Sequence, residues 1–328
     1  MKHSSIGIVA VGSYIPTRRV SNDELSRIVD TTDQWIREHT GIEARHIAPE
    51  QMATSDMAVL ATENLLQAYQ IDRSAIGAII VATATQDFLG FPSTACVVQH
   101  KMGLNNIPAF DLAAGCTGFI YAVEVAKGLL LANSVNSVLV IGSEKLSAIA
   151  NWDDRNTCVL FGDGAGAVLV AKAENSSSLI DSVLHAEGNG FSHLMVPKGG
   201  TSAPYEQEDE LSVLKLQMNG RAVYNFAVRA ITDVIENLLM RNGITIDEVD
   251  WIVPHQANSR IIKSAAKRLG IEEKKFYMNI AEYANTSAAS IPIALAEMEQ
   301  KKVLLKGMLV LTVGFGAGLT YGGNLIRW

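Results

Sequence analysis

Apolar runs of two kinds alternate along the chain. The stretches "AIGAIIVATAT" (75–85) and "SVLVIGSE" (137–144) are short, continuous and rich in β-branched residues, which predicts buried strands. The stretches "SDMAVLATENLLQAYQ" (55–70) and "GFIYAVEVAKGLLLA" (118–132) repeat their apolar positions every three to four residues, which predicts helices. "FGDGAGAVLVAKA" (161–173) reads as a glycine-rich turn feeding a further strand. The first apolar run is broken by Gly12 and then Pro16 and is too short for a signal-peptide core, so it is expected to be a strand and a turn. Strands alternating with helices predict an α/β fold.

After a polar break near residue 175 the same kinds of segment return in the same order. "IDRSAIGAIIVATAT" (71–85) is echoed by "ITIDEVDWIVPHQAN" (244–258), and "HKMGL" (100–104) by "KRLGI" (267–271). "AGCTGFIYAVEVA" (114–126) is echoed by "ANTSAASIPIALAEM" (284–298), and "VLVIGSE…FGDGAGAVLV" by "LVLTVGFGAGLTYGG" (309–323). Two similar halves, 1–174 and 175–328, are therefore expected. Cys116 and Asn285 then hold equivalent places at two helix starts, and His255 lies at a strand end, where α/β folds usually place their chemistry.

Composition narrows the class. The chain has 328 residues, is 48% hydrophobic and carries a formal charge of −7, which suits a globular protein with a large core and argues against a general nucleic-acid binder. No run of about 18 apolar residues suggests a membrane span. The cysteines Cys96, Cys116 and Cys158 are widely spaced and odd in number, which predicts free thiols, a reducing cytoplasmic setting and no metal site. Cys96 and Cys158, flanked by apolar residues, are expected to be buried.

The chemistry-bearing positions stand out against this background. Cys116 sits among small residues at a helix start, where unpaired N–H groups and the helix dipole favour thiolate and lower the thiol pKa; a buried structural cysteine fits this segment equally well. His255 follows a strand and Pro254, with Gln256, Ala257 and Asn258 opening a helix, so it is expected to face a cleft. Asn285, Thr286 and Ser287 stand before a helix and fit an ordinary cap as well as a site. "GDGAGA" (162–167) satisfies a dinucleotide-binding pattern, but a β-type run follows it, so tight turns and close backbone approach are expected instead. From Gln256 to Leu269 one helical stripe is apolar, and Arg260, Lys263, Lys267 and Arg268 lie mostly on the other side. Four cations without an acid, in an acidic chain, favour an anionic partner over a merely solvated face.

Cys116 in "DLAAGCTGF", His255 in "PHQAN" and Asn285 in "NTSAAS", with "FGDGAGA" and "GFGAGLTYGG", resemble the β-ketoacyl-acyl-carrier-protein synthase III group of thiolase-like condensing enzymes. The resemblance runs along essentially the whole chain. It implies a five-layer αβαβα body of two similar halves, a homodimer, and no cofactor, acyl-CoA being a substrate. It implies acyl transfer from acyl-CoA, with acetyl-CoA the expected primer, to Cys116. Condensation with malonyl-acyl-carrier protein then releases carbon dioxide and opens fatty acid biosynthesis. His255 and Asn285 are implied as donors to the enolate oxygen, and the backbone N–H groups of Cys116 and Ala317 as the oxyanion hole.

The same resemblance implies CoA contacts at Trp35, Arg155, Gly220 and Asn258. It implies an acyl-pocket wall of Leu146, Phe161, Met218 and Phe315, completed by Phe91 reaching into the partner subunit. The carrier-protein surface is expected over Gln256, Ala257, Asn258, Ser259, Arg260, Lys263, Lys267 and Arg268. His39 and Asn225 depart from the family pattern, which often has Arg and Lys there, and Ala317 replaces a common Gly. A papain-like Cys–His–Asn hydrolase lacks its local signatures here. Chalcone-synthase-like and hydroxymethylglutaryl-CoA-synthase-like enzymes fit the basic face less well, and an inactive scaffold subunit would be expected to lose the cysteine.

Overall fold

A computed structural model describes residues 5–173 and 177–328. The expected division between 174 and 175 falls outside the described residues. The first sheet is built from β1 (Ser5–Tyr14), β2 (Ile79–Ala82), β3 (Ala109–Leu112), β4 (Ser137–Glu144) and β5 (Gly164–Ala173), in the order β1-β5-β4-β2-β3. The second is built from β6 (Ser178–Ala186), β7 (Trp251–Pro254), β8 (Leu309–Gly316) and β9 (Thr320–Arg327), in the order β7-β8-β9-β6.

The two sheets share one topology. In each, the first strand pairs antiparallel with the last, the last antiparallel with the one before it, and that strand parallel with the next. Where the first sheet adds β3, parallel to β2, the second has a single parallel bridge between Ile252 and Phe276.

Helices α1 (Asp33–Thr40), α2 (Thr54–Tyr69), α3 (Thr94–Lys101), α4 (Gly118–Leu131), α5 (Gly220–Asn242), α6 (Ser259–Leu269) and α7 (Ser290–Gln300) complete the frame. Their apolar faces sort into layers. Helices α2 and α3 cover the outer face of the first sheet, and α5 and α6 that of the second. Between the sheets lie α4 and α7, apolar nearly all round, as burial on both sides requires. The result is the five-layer αβαβα arrangement. The "GDGAGA" segment enters β5, a strand rather than a helix, so the dinucleotide pattern has no structural counterpart.

Two expectations need correction. The single turn before α4 is Gly115–Thr117, and the one before α7 is Ser287–Ala289. Their first residues share the left-handed region, with φ +52° at Gly115 and +49° at Ser287. The equivalent of Cys116 is therefore Ala288, and Asn285 stands three residues earlier. Cys96 is exposed at the edge of the first sheet, its thiol donating to the Ala109 carbonyl of β3 at 3.6 Å; Cys158 is buried.

Candidate functional site

Cys116 is pinned by the end of β8. A Cβ on Gly316 would lie 2.8 Å from both the Cβ and the backbone N of Cys116, so only glycine lets the strand come this close. A Cβ on Gly115 would meet the backbone N of Ala317 at 3.0 Å. This packing turns the backbone N–H groups of Cys116 and Ala317 toward the thiol.

The thiol is not the lowered-pKa group that a helix start suggests. Burial pushes it up to about 12, against the opposing hydrogen bonds from Ser287 and the two backbone N–H groups, and the charge of Glu144 adds to the rise. A helix terminus contributes about 0.3–2 kcal/mol, at most about 1.5 pKa units, which does not offset loss of water around a buried thiolate.

His255 follows β7, and its N–H donates to the Val313 carbonyl at 2.8 Å. Its ring stands edge-on to Phe315, 5.3 Å between centroids. Burial lowers its pKa to about 3, so the imidazole is neutral. Nδ1 lies 2.7 Å from the Ser290 hydroxyl, which also accepts the Gln256 N–H at 3.3 Å. With the Ser290 hydroxyl donating to Nδ1, Nε2 carries the ring hydrogen.

Asn285 is fixed on both sides of its backbone. Its N–H donates to the Leu160 carbonyl at 2.9 Å and its carbonyl accepts from Gly162 at 3.0 Å. Oδ1 accepts the Ser287 N–H at 2.8 Å, which leaves the amide NH₂ to donate elsewhere.

Cys116, His255 and Asn285 line one cavity of about 360 Å³. Its inner end is buried, and its outer end is formed by the part-exposed Trp35 and His39 and the exposed Arg260. Leu146, Phe161, Met218 and Phe315 line it, as do Gly220, Ala257, Asn258 and Ala317. Arg155 is not in the wall; its guanidinium lies 5.0 Å from the Trp35 ring centroid, and His39 stacks on the same ring at 4.4 Å. Asn258 caps α6 and ties it to α1, donating to the His39 carbonyl at 3.0 Å. Asn225 lies outside this cavity, in a neighbouring depression with His193 and Arg229. Phe91 is 88% exposed and does not line the cavity of its own chain.

On α6, Ile261, Ile262, Ala265 and Ala266 are buried while Arg260, Lys263, Lys267 and Arg268 are exposed. Lys263 has one long contact to Glu273, 3.9 Å, and the other three form no ion pair with the described residues. Ser259 is part-exposed. Gln256 does not belong to this surface. It is 1% exposed, and its amide is consumed by Pro254, Tyr277 and Asn279, so it holds the strand-to-helix turn and cannot touch a docked protein.

Ser287, Ser290 and Glu144 bear on the site, and sequence reasoning did not single out Ser290 or Glu144. A serine inside an apolar helix and a lone acid ending a strand carry no local signal. Among the described residues, no group of three or more His, Cys, Asp or Glu side chains could hold a metal ion.

Family profiles of 3-oxoacyl-acyl-carrier-protein synthase III match residues 110–188 and, for the C-terminal part, 239–328. The chain is 45% identical to a β-ketoacyl-acyl-carrier-protein synthase III of Caldanaerobacter subterraneus subsp. tengcongensis, over 98% of this chain and 97% of that one. The 3-oxoacyl-acyl-carrier-protein synthase III of Aquifex aeolicus superposes with a TM-score of 0.90 at 40% identity, over 98% of this chain and all 100% of that one. The Thermus thermophilus enzyme gives 0.91 at 41%, over 98% and 99%. The profiles, the full-length identity and the shared five-layer architecture place this chain in the β-ketoacyl-acyl-carrier-protein synthase III family of thiolase-fold acyltransferases.

Proposed function

We propose that the cavity condenses an acyl-CoA primer, acetyl-CoA first, with malonyl-acyl-carrier protein to give a 3-oxoacyl-acyl-carrier protein, CoA and carbon dioxide. The observation that carries this reading is the convergence of one buried thiol and two neutral donor side chains at the inner end of a largely apolar cavity.

Cys116 attacks the acyl-CoA thioester, and the N–H groups of Cys116 and Ala317 receive the oxygen as it becomes negative. Decarboxylation of the second substrate removes no proton and needs donors at the forming enolate oxygen. The neutral His255, through Nε2–H, and Asn285, through its NH₂, supply them. The enolate carbon then attacks the acyl-Cys116 thioester, and the same oxyanion hole serves again.

No step in this reading calls for a cofactor. The pantetheine arm runs past Gly220 and Asn258, and the adenine enters between Trp35 and the exposed Arg155, which can swing outward. Leu146, Phe161, Met218 and Phe315 bound the acyl group. The basic face of α6 receives the carrier protein, and Phe91 completes the pocket of a second subunit in a homodimer. A cytoplasmic setting fits three free thiols and a described structure in which no helix is long and apolar enough to cross a membrane.

The test separates the half-reactions. Incubation with acyl-CoAs should add one acyl mass, mapped to Cys116 and absent from Cys96 and Cys158. His255→Ala or Asn285→Ala should slow malonyl decarboxylation by about 10²–10³ while changing acylation much less. An acyl group on another cysteine, or His255→Ala blocking acylation and sparing decarboxylation, defeats the assignment.

A further inference from the structure

Arg45 is completely buried and has no carboxylate partner among the described residues. A buried guanidinium without an acid is costly, and its position is set by where its donors go. Nη1 donates to the Asn22 side-chain oxygen at 2.8 Å and to the Val20 carbonyl at 3.4 Å. Nη2 donates to the Val159 carbonyl at 2.9 Å. Asn22 is itself fixed, its amide donating to the Asp33 carboxylate and to the Ile42 carbonyl, both at 2.8 Å. The guanidinium therefore ties one backbone carbonyl, that of Val159, to a rigid base.

That carbonyl opens the segment that brackets Asn285. Residues 159–163 run between the short strand Ala44–Ile47 and the chain at 283–285. A Cβ on Gly162 would lie 2.7 Å from the Tyr283 carbonyl oxygen and 3.3 Å from the Arg45 Cβ. Phe161 and Asn285 form a parallel bridge, made by the Leu160 carbonyl and the Gly162 N–H on either side. The far end of the segment is pinned at Asp163. Its N–H donates to the His46 carbonyl at 2.8 Å, and its carboxylate accepts from the Ala48 N–H at 2.8 Å and the Ser147 hydroxyl at 2.6 Å. Arg45 pins the near end.

The bracket works against a strained neighbour. Ala284 has φ +56° and ψ −156°, a conformation that glycine enters readily and alanine avoids. Its side chain is buried in one apolar cluster with Val159, Ile280 and Ile42. Ser287, on the other side of Asn285, also has a positive φ, +49°. A backbone strained on both sides relaxes and turns the amide unless it is held from outside.

Resting on the proposed role of Asn285 as a donor to the enolate oxygen, we propose that Arg45 is a positioning residue for the condensation half-reaction. Through the Val159 carbonyl it fixes the 159–163 segment, and that segment aims the Asn285 NH₂. Arg45 does not line the cavity and touches no substrate. A small displacement of a donor weakens it sharply at a developing charge. The oxyanion hole is set instead by the close approach of Gly115 and Gly316, so acylation does not depend on Arg45.

The half-reactions of Arg45→Met, which keeps much of the side-chain volume and removes the donors, test this. Malonyl-carrier-protein decarboxylation should fall about tenfold or more, in kcat rather than KM, while single-turnover acetyl transfer to Cys116 changes less than about threefold. In an Asn285→Ala background, where the donor is already gone, Arg45→Met should cost less than about a further twofold. Arg45→Lys, with its charge and a single donor head, should recover part of the loss. Ala284→Gly added to Arg45→Met should also recover part, because glycine removes the drive to leave φ +56°. If thermal melts show that Arg45→Met does not fold, Arg45→Lys is read in the same cycle, with a several-fold loss alone and none on Asn285→Ala. Wild-type rates in a folded Arg45 variant, equal losses in both half-reactions, or the full loss repeated on top of Asn285→Ala overturn the assignment. Absence of any recovery with Ala284→Gly overturns the part given to strain. Decarboxylation left intact by Asn285→Ala alone defeats instead the reading of Asn285 itself.

Discussion

A histidine held neutral by burial has two separate consequences. The first concerns the reaction: His255 cannot cycle through a charged form at ordinary pH, so its use is as a fixed hydrogen-bond donor whose direction Ser290 sets. Ser290→Ala should leave Nδ1 free to take the ring proton and turn Nε2 into an acceptor. Decarboxylation should then fall about tenfold or more, with Cys116 acylation unchanged and Ser290→Thr restoring part of the loss. Equal half-reaction losses would assign Ser290 to packing alone. The second consequence concerns stability. The folded pKa of about 3 lies below the unfolded value of 6.5, so between these limits the unfolded chain binds the extra proton. Stability from this group is complete above pH 6.5 and is lost as pH falls, on the order of 2–3 kcal/mol by pH 4.5. Melting curves of His255→Asn should therefore depend less on pH over 4.5–6.5 than those of wild type. A steeper dependence in the variant would contradict a neutral buried ring.

At the scale of elements, strands and helices whose apolar pattern is continuous were readable almost to the residue, as with β4 at 137–144 and α4 at 118–131. What lay between them was not. Few identities join the two halves, so nothing local revealed that Asn285 precedes its helix by three residues more than Cys116 does, and only the paired backbone turns show it. Exposure of Cys96 and burial of Gln256 depend on what packs against α3 and α6, which no flanking pattern encodes. The amphipathic character of α6 was legible because its period carries it, and the structure leaves its cations on the open side. Surface charges act mainly on encounter and are screened within about 8 Å at physiological salt. Lys267→Glu with Arg268→Glu should thus raise KM for malonyl-carrier protein and flatten its salt dependence, while acyl transfer from a small acyl-CoA holds. Arg260, in the cavity wall, is kept out of this pair so that CoA binding stays intact. Unchanged KM across a salt series would make this face merely solvated.

The whole molecule leaves one apolar surface unexplained by its own chain. Phe88, Leu89 and Phe91 are 52%, 83% and 88% exposed within four consecutive positions, on the loop between β2 and α3. Isolated exposed apolar residues are ordinary, but three large ones together seek a partner. The loop lies beside an edge as well. β3 ends the first sheet with one side of its backbone unpaired by the described strands, and such edges are usually covered or blunted. A two-fold contact would cover the edge, bury the loop and bring Phe91 to a second subunit, making the acyl pocket a product of assembly. Phe91→Asp places a charge where that contact is apolar. It should weaken the dimer in sedimentation and light scattering, and alter which acyl-CoA lengths load Cys116, with the fold of each chain unchanged by circular dichroism. Phe91→Leu, which keeps apolar area but shortens the side chain, should remain dimeric while still shifting chain-length preference. A Phe91→Asp protein with wild-type mass in solution and wild-type acyl preference would place the loop outside any interface and leave the pocket complete within one chain.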